Sequence, residues 1–185
     1  MGQKGAETRD RLLAATQESI ESVGYFGTGL NQVIAAGGAP RGSLYFHFPG
    51  GKDQLVGESV RRAGQAIGEL LDDSANTGLS DAEFATGVLR YLGDRLEQSG
   101  WRKGCPVATV ALETAASHDT LQEACAEVYA DWEALLRARL AHRPDAEDLA
   151  VTVLALVEGA LLLARTHRSR EPLDRVARRL EALLG

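Results

Sequence analysis

The sequence predicts an all-α protein of about nine helices, with an N-terminal helix-turn-helix three-helix domain followed by a larger C-terminal helical domain. Three observations predict it. Apolar residues recur at three- and four-residue steps through almost the whole chain. Alternation of β-branched residues is nearly absent, and only five prolines interrupt 185 residues. A chain of this length buries about 70% of the surface it exposes when unfolded, so it needs no covalent staple.

The first helix is expected over 7–23, with Leu12, Leu13, Thr16, Ile20 and Val23 on one face and Gly24 as its C-cap. Two short helices follow near 30–36 and 40–46, separated by Gly37-Gly38, and Pro40 suits the first turn of the second. Phe48-Pro49-Gly50-Gly51 reads as a turn, because Pro49 cannot continue a regular helix. A fourth helix runs from near Lys52 through Leu55, Val56, Val60 and Ile67 to about Leu71. The polar Asp73–Ser80 stretch, with Asn76, Thr77 and Gly78, reads as a loop. Helices are then expected over 81–99, 105–117, 119–141, 146–168 and 172–184. Ser80 with Glu83 is a capping-box pair at the start of the first of these.

The formal net charge of −6 excludes a protein that is basic all over. It is unevenly spread. Residues 1–62 carry seven basic and six acidic side chains, so nearly all the acidity lies in the remainder. Such asymmetry points to two modules with different partners. Two cysteines exclude a disulfide scaffold, and the spacing of Cys105 and Cys125 fits no zinc ribbon or finger. The N-terminus runs into charged residues, unlike a secretory signal. The longest apolar run, 154–164, is too short to span a bilayer. A cytoplasmic protein with reduced thiols is expected.

Residues 28–46 carry the sharpest signal. Two short helices joined by a glycine-containing turn can place the second in a major groove. Leu30, Val33, Ile34 and Leu44 can pack on the first helix, leaving Pro40, Arg41, Gly42, Ser43, Tyr45 and His47 outside. Arg41 can read a guanine edge or grip a phosphate, and Gly42 permits close backbone approach. Thr28 and Lys52 stand at helix starts, where hydroxyl, ammonium and backbone N–H groups suit phosphate. Tyr45, Phe46 and Phe48 also suit a core, and Phe48 is expected to be buried.

The run from Ile34 through Gly37-Gly38-Ala39-Pro40-Arg41-Gly42-Ser43-Leu44-Tyr45-Phe46-His47-Phe48 to Lys52 and Leu55 resembles the DNA-binding signature of TetR-type transcriptional regulators. The resemblance covers about the first third of the chain. The turn Phe48-Pro49-Gly50-Gly51-Lys52, one residue longer than usual, and the segment Gly104–Ala108 are similar to the LmrA/YxaF-like and QacR-like subgroup. Gly37 and Ala39 stand where Ala and Val are usual, which predicts a looser turn. Pro40 replaces Ser, Arg41 replaces Lys, and His47 replaces a Tyr that touches phosphate.

The resemblance implies a DNA-binding domain over 1–50 and a ligand-binding and dimerisation domain over 51–185. It implies a homodimer on a palindromic double-stranded DNA operator, released by a small-molecule effector. Pocket candidates are Trp101, Cys105, Thr109, Glu113, Cys125, Tyr129, Trp132, Glu158 and Leu162, aromatic walls with a few polar groups. Leu154, Leu161, Val176 and Leu180, on the last two helices, are dimer-interface candidates.

No cofactor or metal is implied, and enzyme motifs fail. Gly51-Lys52 is not a P-loop, because Phe46 stands where the first glycine must be and Asp53 replaces Ser/Thr. His-Glu-x-x-His and Gly-x-Ser-x-Gly are absent. Two other readings share the pattern: a helical small-molecule-binding protein or enzyme with a vestigial helix-turn-helix, and a redox sensor using Cys105 and Cys125.

Overall fold

The computed structural model describes residues 3–75 and 78–185, so Asn76 and Thr77 of the expected loop lie outside the described residues. The described residues hold nine helices and no strand. These are α1 (Gln3–Gly27), α2 (Leu30–Ala36), α3 (Ser43–His47), α4 (Gly51–Ala75), α5 (Asp81–Gln98), α6 (Pro106–Thr114), α7 (Asp119–Arg139), α8 (Ala146–His167) and α9 (Glu171–Leu184).

Several boundaries differ from the expected ones, and four of them have a local reason. Gly24 kinks α1 rather than ending it: its φ of 71° and ψ of −171° are open to glycine alone, and helix resumes to Gly27. α3 starts at Ser43, because residues 40–42 form a turn in which the Pro40 carbonyl accepts from the Ser43 N–H at 2.9 Å. α4 runs on to Ala75, since the acidic residues after Leu71 have only weakly unfavourable helix propensity. α6 stops at Thr114, whose carbonyl accepts from both Ser117 N–H and His118 N–H.

The chain packs as two compact units. The first comprises the segment up to Gly64 and Pro106–Val128. Its inner cluster joins Leu12 and Leu13 of α1, Val33 and Ile34 of α2, Leu44 of α3, Phe48 and Leu55, with Leu30 and Ala39 packed at the edge. Phe48 is fully buried, as expected. Gly64 of α4 faces Val128 of α7, and a Cβ at Gly64 would lie 2.6 Å from Val128 Cγ2, so this glycine sets a close approach.

The second unit comprises Gln65–Cys105 and Tyr129–Gly185. α5 opens with the expected capping box: the Ser80 hydroxyl accepts from Glu83 N–H, and the Glu83 carboxylate accepts from Ser80 N–H at 2.8 Å. α9 lies against α5 at Gly93, where a Cβ would meet Leu173 Cδ1 at 2.7 Å. Arg170 fastens that contact to Asp94 at 2.6 Å and Glu97 at 2.9 Å.

α8 is two-faced. Leu149, Ala150, Val153, Val157, Ala160, Leu161 and Ala164 point inward, whereas Val151, Ala155, Leu162 and Leu163 are exposed. By length and composition alone α8, 22 residues with an 18-residue stretch of mean hydropathy 1.8, is apolar enough to cross a bilayer, a test that the core helix of a helical protein also passes. Its inward side belongs to the core of the unit, so the apolar character of the other side needs its own explanation.

Candidate nucleic-acid interface

The turn between α2 and α3 is built by glycines. Gly38 has φ 57°, a left-handed conformation that side chains rarely adopt. Gly37 is buried, and a Cβ there would lie 3.3 Å from the backbone oxygens of Arg11 and Val33. The turn is therefore tight against α1, not looser as the Gly37 and Ala39 substitutions predicted.

Leu44 and Phe48, one helical turn apart, anchor the inner side of α3. Its outer side is left bare. Pro40, Arg41 and Gly42 are exposed, as is Tyr45 at 62%. Ser43 is half-buried and donates its hydroxyl to Pro40 O at 2.6 Å, leaving its lone pairs as acceptors. His47 is half-buried between the Phe46 and Phe48 rings, and its Nδ1 has no hydrogen-bond partner among the described residues. Phe46, which the sequence reading left open as a core residue, is 75% exposed. The signal lay in the spacing: once Leu44 and Phe48 define the inner face, Tyr45 and Phe46 fall outside it.

Thr28 is corrected. It is buried, and its hydroxyl donates to Gly24 O at 2.6 Å and meets Ser19 Oγ at 2.9 Å. The kink in α1 leaves a carbonyl that this hydroxyl satisfies, so it is not turned toward a phosphate. Lys52 is half-buried, with Nζ 4.3 Å from the centre of the Tyr25 ring. Burial pulls its pKa down, opposed by the carboxylates of Asp53 and Glu113. Tyr25 donates its hydroxyl to Asp53 Oδ1 at 2.6 Å; burial and then Asp53 push its pKa up to about 12.

Of the pocket candidates, Thr109, Glu113 and Cys125 belong to the first unit and the other six to the second. Glu113 is committed elsewhere: its Oε2 accepts from Phe26 N–H at 2.9 Å. Cys125 is 2% exposed, its thiol lies 3.8 Å from Val107 O as donor, and burial pushes its pKa up to about 11. It is an inert core thiol. Leu162 faces outward at 54% exposure and is corrected from pocket to surface. Trp101 is half-buried in a left-handed conformation, φ 64°. Tyr129 and Trp132 pack edge to face at 5.6 Å. Glu158 is half-buried in the apolar α8; desolvation raises its pKa, and a hydrogen bond with Cys105 opposes the rise.

Two dimer-interface candidates are also corrected. Leu161 and Leu180 are 6% and 0% exposed within their own chain, so no partner can reach them, and Leu154 and Val176 are half-buried. The sequence missed a cleft of about 430 Å³ in the second unit. There the Arg139 guanidinium stacks 4.3 Å over Phe84, with Nε 3.4 Å from Asp81, and His142 lies 3.2 Å from the same carboxylate.

Three helices around one core, with the outer side of the third left bare, are the helix-turn-helix arrangement. Residues 12–58 match the model of bacterial regulatory proteins of the tetR family, and residues 82–179 match the C-terminal domain of LmrA/YxaF-like transcriptional regulators. The chain belongs to the TetR family of transcriptional regulators, with an LmrA/YxaF-like C-terminal domain. It is 34% identical over 182 residues to the HTH-type transcriptional regulator LmrA of Bacillus subtilis, covering 96% of this chain and 97% of that protein. An uncharacterized HTH-type transcriptional regulator of Mycobacterium tuberculosis is 35% identical over 185 residues, covering 95% and 93%. The crystal structure of a TetR transcriptional regulator from Chloroflexus aurantiacus superposes with a TM-score of 0.84 at 27% identity, covering 98% and 96% of the chains. Family and relatives are transcriptional regulators, not enzymes.

Proposed function

We propose that this regulator is a homodimeric, cytoplasmic, ligand-responsive repressor, in which residues 1–50 bind DNA and residues 51–185 bind effector and partner subunit. The observation that carries the DNA half is the outer side of α3 and of the turn before it, where Arg41, Tyr45 and Phe46 stand clear of a sealed core. Arg41 reads a base edge with its planar fork. Tyr45, the Ser43 oxygen and His47 supply polar contacts, while Pro40 and Gly42 let the backbone approach. Lys52 adds charge at the start of α4.

Seven basic residues against six acidic over 1–62 make each module a weak electrostatic grip. Two modules acting together on a palindromic operator supply the affinity. The exposed apolar face of α8 is suited to joining them. Val151, Leu162 and Leu163 provide apolar area, and Ala155 and Gly159 provide room for close helix packing. The effector binds in 51–185, where Trp101, Tyr129 and Trp132 offer aromatic walls and Cys105 with Glu158 a polar pair. A coupling of about 1–3 kcal/mol between effector and operator is enough to switch binding.

Selection of binding sites from random DNA with the full-length protein is expected to enrich a two-fold symmetric sequence. Recovery of no palindrome would overturn this reading.

A further inference from the structure

We propose that Glu113 of α6 is a positioning residue for the recognition helix, acting by holding the kinked end of α1 against the first turn of α4. The proposal rests on the operator-binding reading above and names what keeps that site in place.

The contact is built from a glycine slot. Gly24 has φ 71° and ψ −171°, and it carries no side chain where the Glu113 carboxylate enters. A Cβ at Gly24 would lie 2.6 Å from the Glu113 carboxyl carbon. The kink breaks the helical ladder, and Glu113 Oε2 takes up the Phe26 N–H beyond it at 2.9 Å. A charge-assisted bond of this kind is stronger than a neutral one. One carboxylate thus both occupies the slot and satisfies the backbone that the kink releases.

Tyr25, between these two residues, carries the contact onward. Its ring packs edge to face on Phe26 at 5.1 Å and on His118, just beyond α6, at 5.0 Å. Its hydroxyl donates to Asp53 at 2.6 Å, and Lys52 Nζ lies 4.3 Å over its ring. Lys52 and Asp53 sit in the first turn of α4, joined to α3 by the short Phe48–Gly50 link. The order of contact is therefore α6, the end of α1, the start of α4 and then α3, all within one compact unit. α6 follows directly on Cys105, whose thiol bonds with Glu158.

The test uses full-length protein, the operator recovered by selection, and backbone amide hydrogen exchange. Glu113→Ala is expected to weaken operator binding at least about fivefold, within the usual range for coupled sites. It is also expected to speed exchange at residues 43–48 of α3 as well as at Phe26. A merely local role would move only Phe26 and its neighbours. Glu113→Gln, which keeps an acceptor oxygen, restores most of the binding. Gly24→Ala expels the carboxylate and reproduces the defect, and the double variant is no worse than the weaker-binding single variant, because both remove the same contact. Glu113→Asp, which only draws the carboxyl back by one methylene, gives the same test if Glu113→Ala folds poorly. Wild-type affinity in Glu113→Ala and Glu113→Asp, or faster exchange confined to Phe26, would overturn the proposal. Failure of the wild type to select any operator would instead overturn the functional reading, with the exchange comparison still deciding the role of Glu113.

Discussion

Two helices of this regulator leave a face uncovered, and the faces are chemically opposite. Around α3 the bare surface mixes one guanidinium, a phenol, an imidazole and an apolar ring: Arg41, Tyr45, His47 and Phe46. On α8 it is Val151, Ala155, Leu162 and Leu163, with no formal charge among these four. A polar, hydrogen-bonding face can stay in water until a groove replaces that water. An apolar face of this extent is held out of water most simply by another apolar face. The comparison separates a surface suited to DNA from one suited to a second subunit, although both residue sets are outward-facing on a helix.

The largest expected effect comes from charging the α8 face. Leu162→Glu should leave each chain folded but give a monomer by sedimentation, with operator affinity lower by on the order of 100-fold as the linkage of two modules is lost. A Leu162→Glu dimer with full affinity would break the comparison.

The two phenylalanines around His47 sharpen it from the other side. Phe48→Ala empties a fully buried site and should cost about 3–5 kcal/mol of stability, read by denaturant unfolding. Phe46→Ala removes an exposed ring and should change stability by under about 0.5 kcal/mol while still weakening operator binding. Equal loss of stability in both would mean that Phe46 is packing rather than contact.

Arg41→Ala should cost roughly 1–3 kcal/mol of operator binding and relax preference at one base position, read by repeating the site selection with the variant. A uniform loss across all sequences would assign Arg41 to phosphate instead.

The smallest effect concerns the half-buried carboxyl of α8. Burial raises the Glu158 pKa, so the folded state keeps a proton that the unfolded chain has already released. Stability from this group is complete below the ordinary carboxyl pKa and is lost as pH rises toward the raised value. Glu158→Gln should flatten that part of the stability–pH curve; an unchanged curve would show that Glu158 is not its source.

The fold was legible in the sequence wherever a local rule was strong enough to stand alone. Ser80 and Glu83 announced a capping box, and Gly37-Gly38 announced the turn. Leu44 and Phe48 occupied the expected inner face. The bare face around α3 was legible for the same reason, because the residues that build the turn and those that face outward are neighbours in the chain. The site residues that needed correction turn on a kink, a distant partner or burial, none of which a local rule announces. Thr28 is captured by the carbonyl that the Gly24 kink exposes, Glu113 by an amide 87 positions away, and Leu161 and Leu180 by burial within their own chain.

The sequence by itself determined helix type, order and the recognition motif, since periodicity, caps and glycine turns act over three or four residues. Only the tertiary structure decided which apolar face of α8 is spent inside and which stays exposed. It alone brought Glu113 to Gly24. Each helix carries more apolar and polar groups than its own turns can satisfy, and the choice among their distant partners is made by packing.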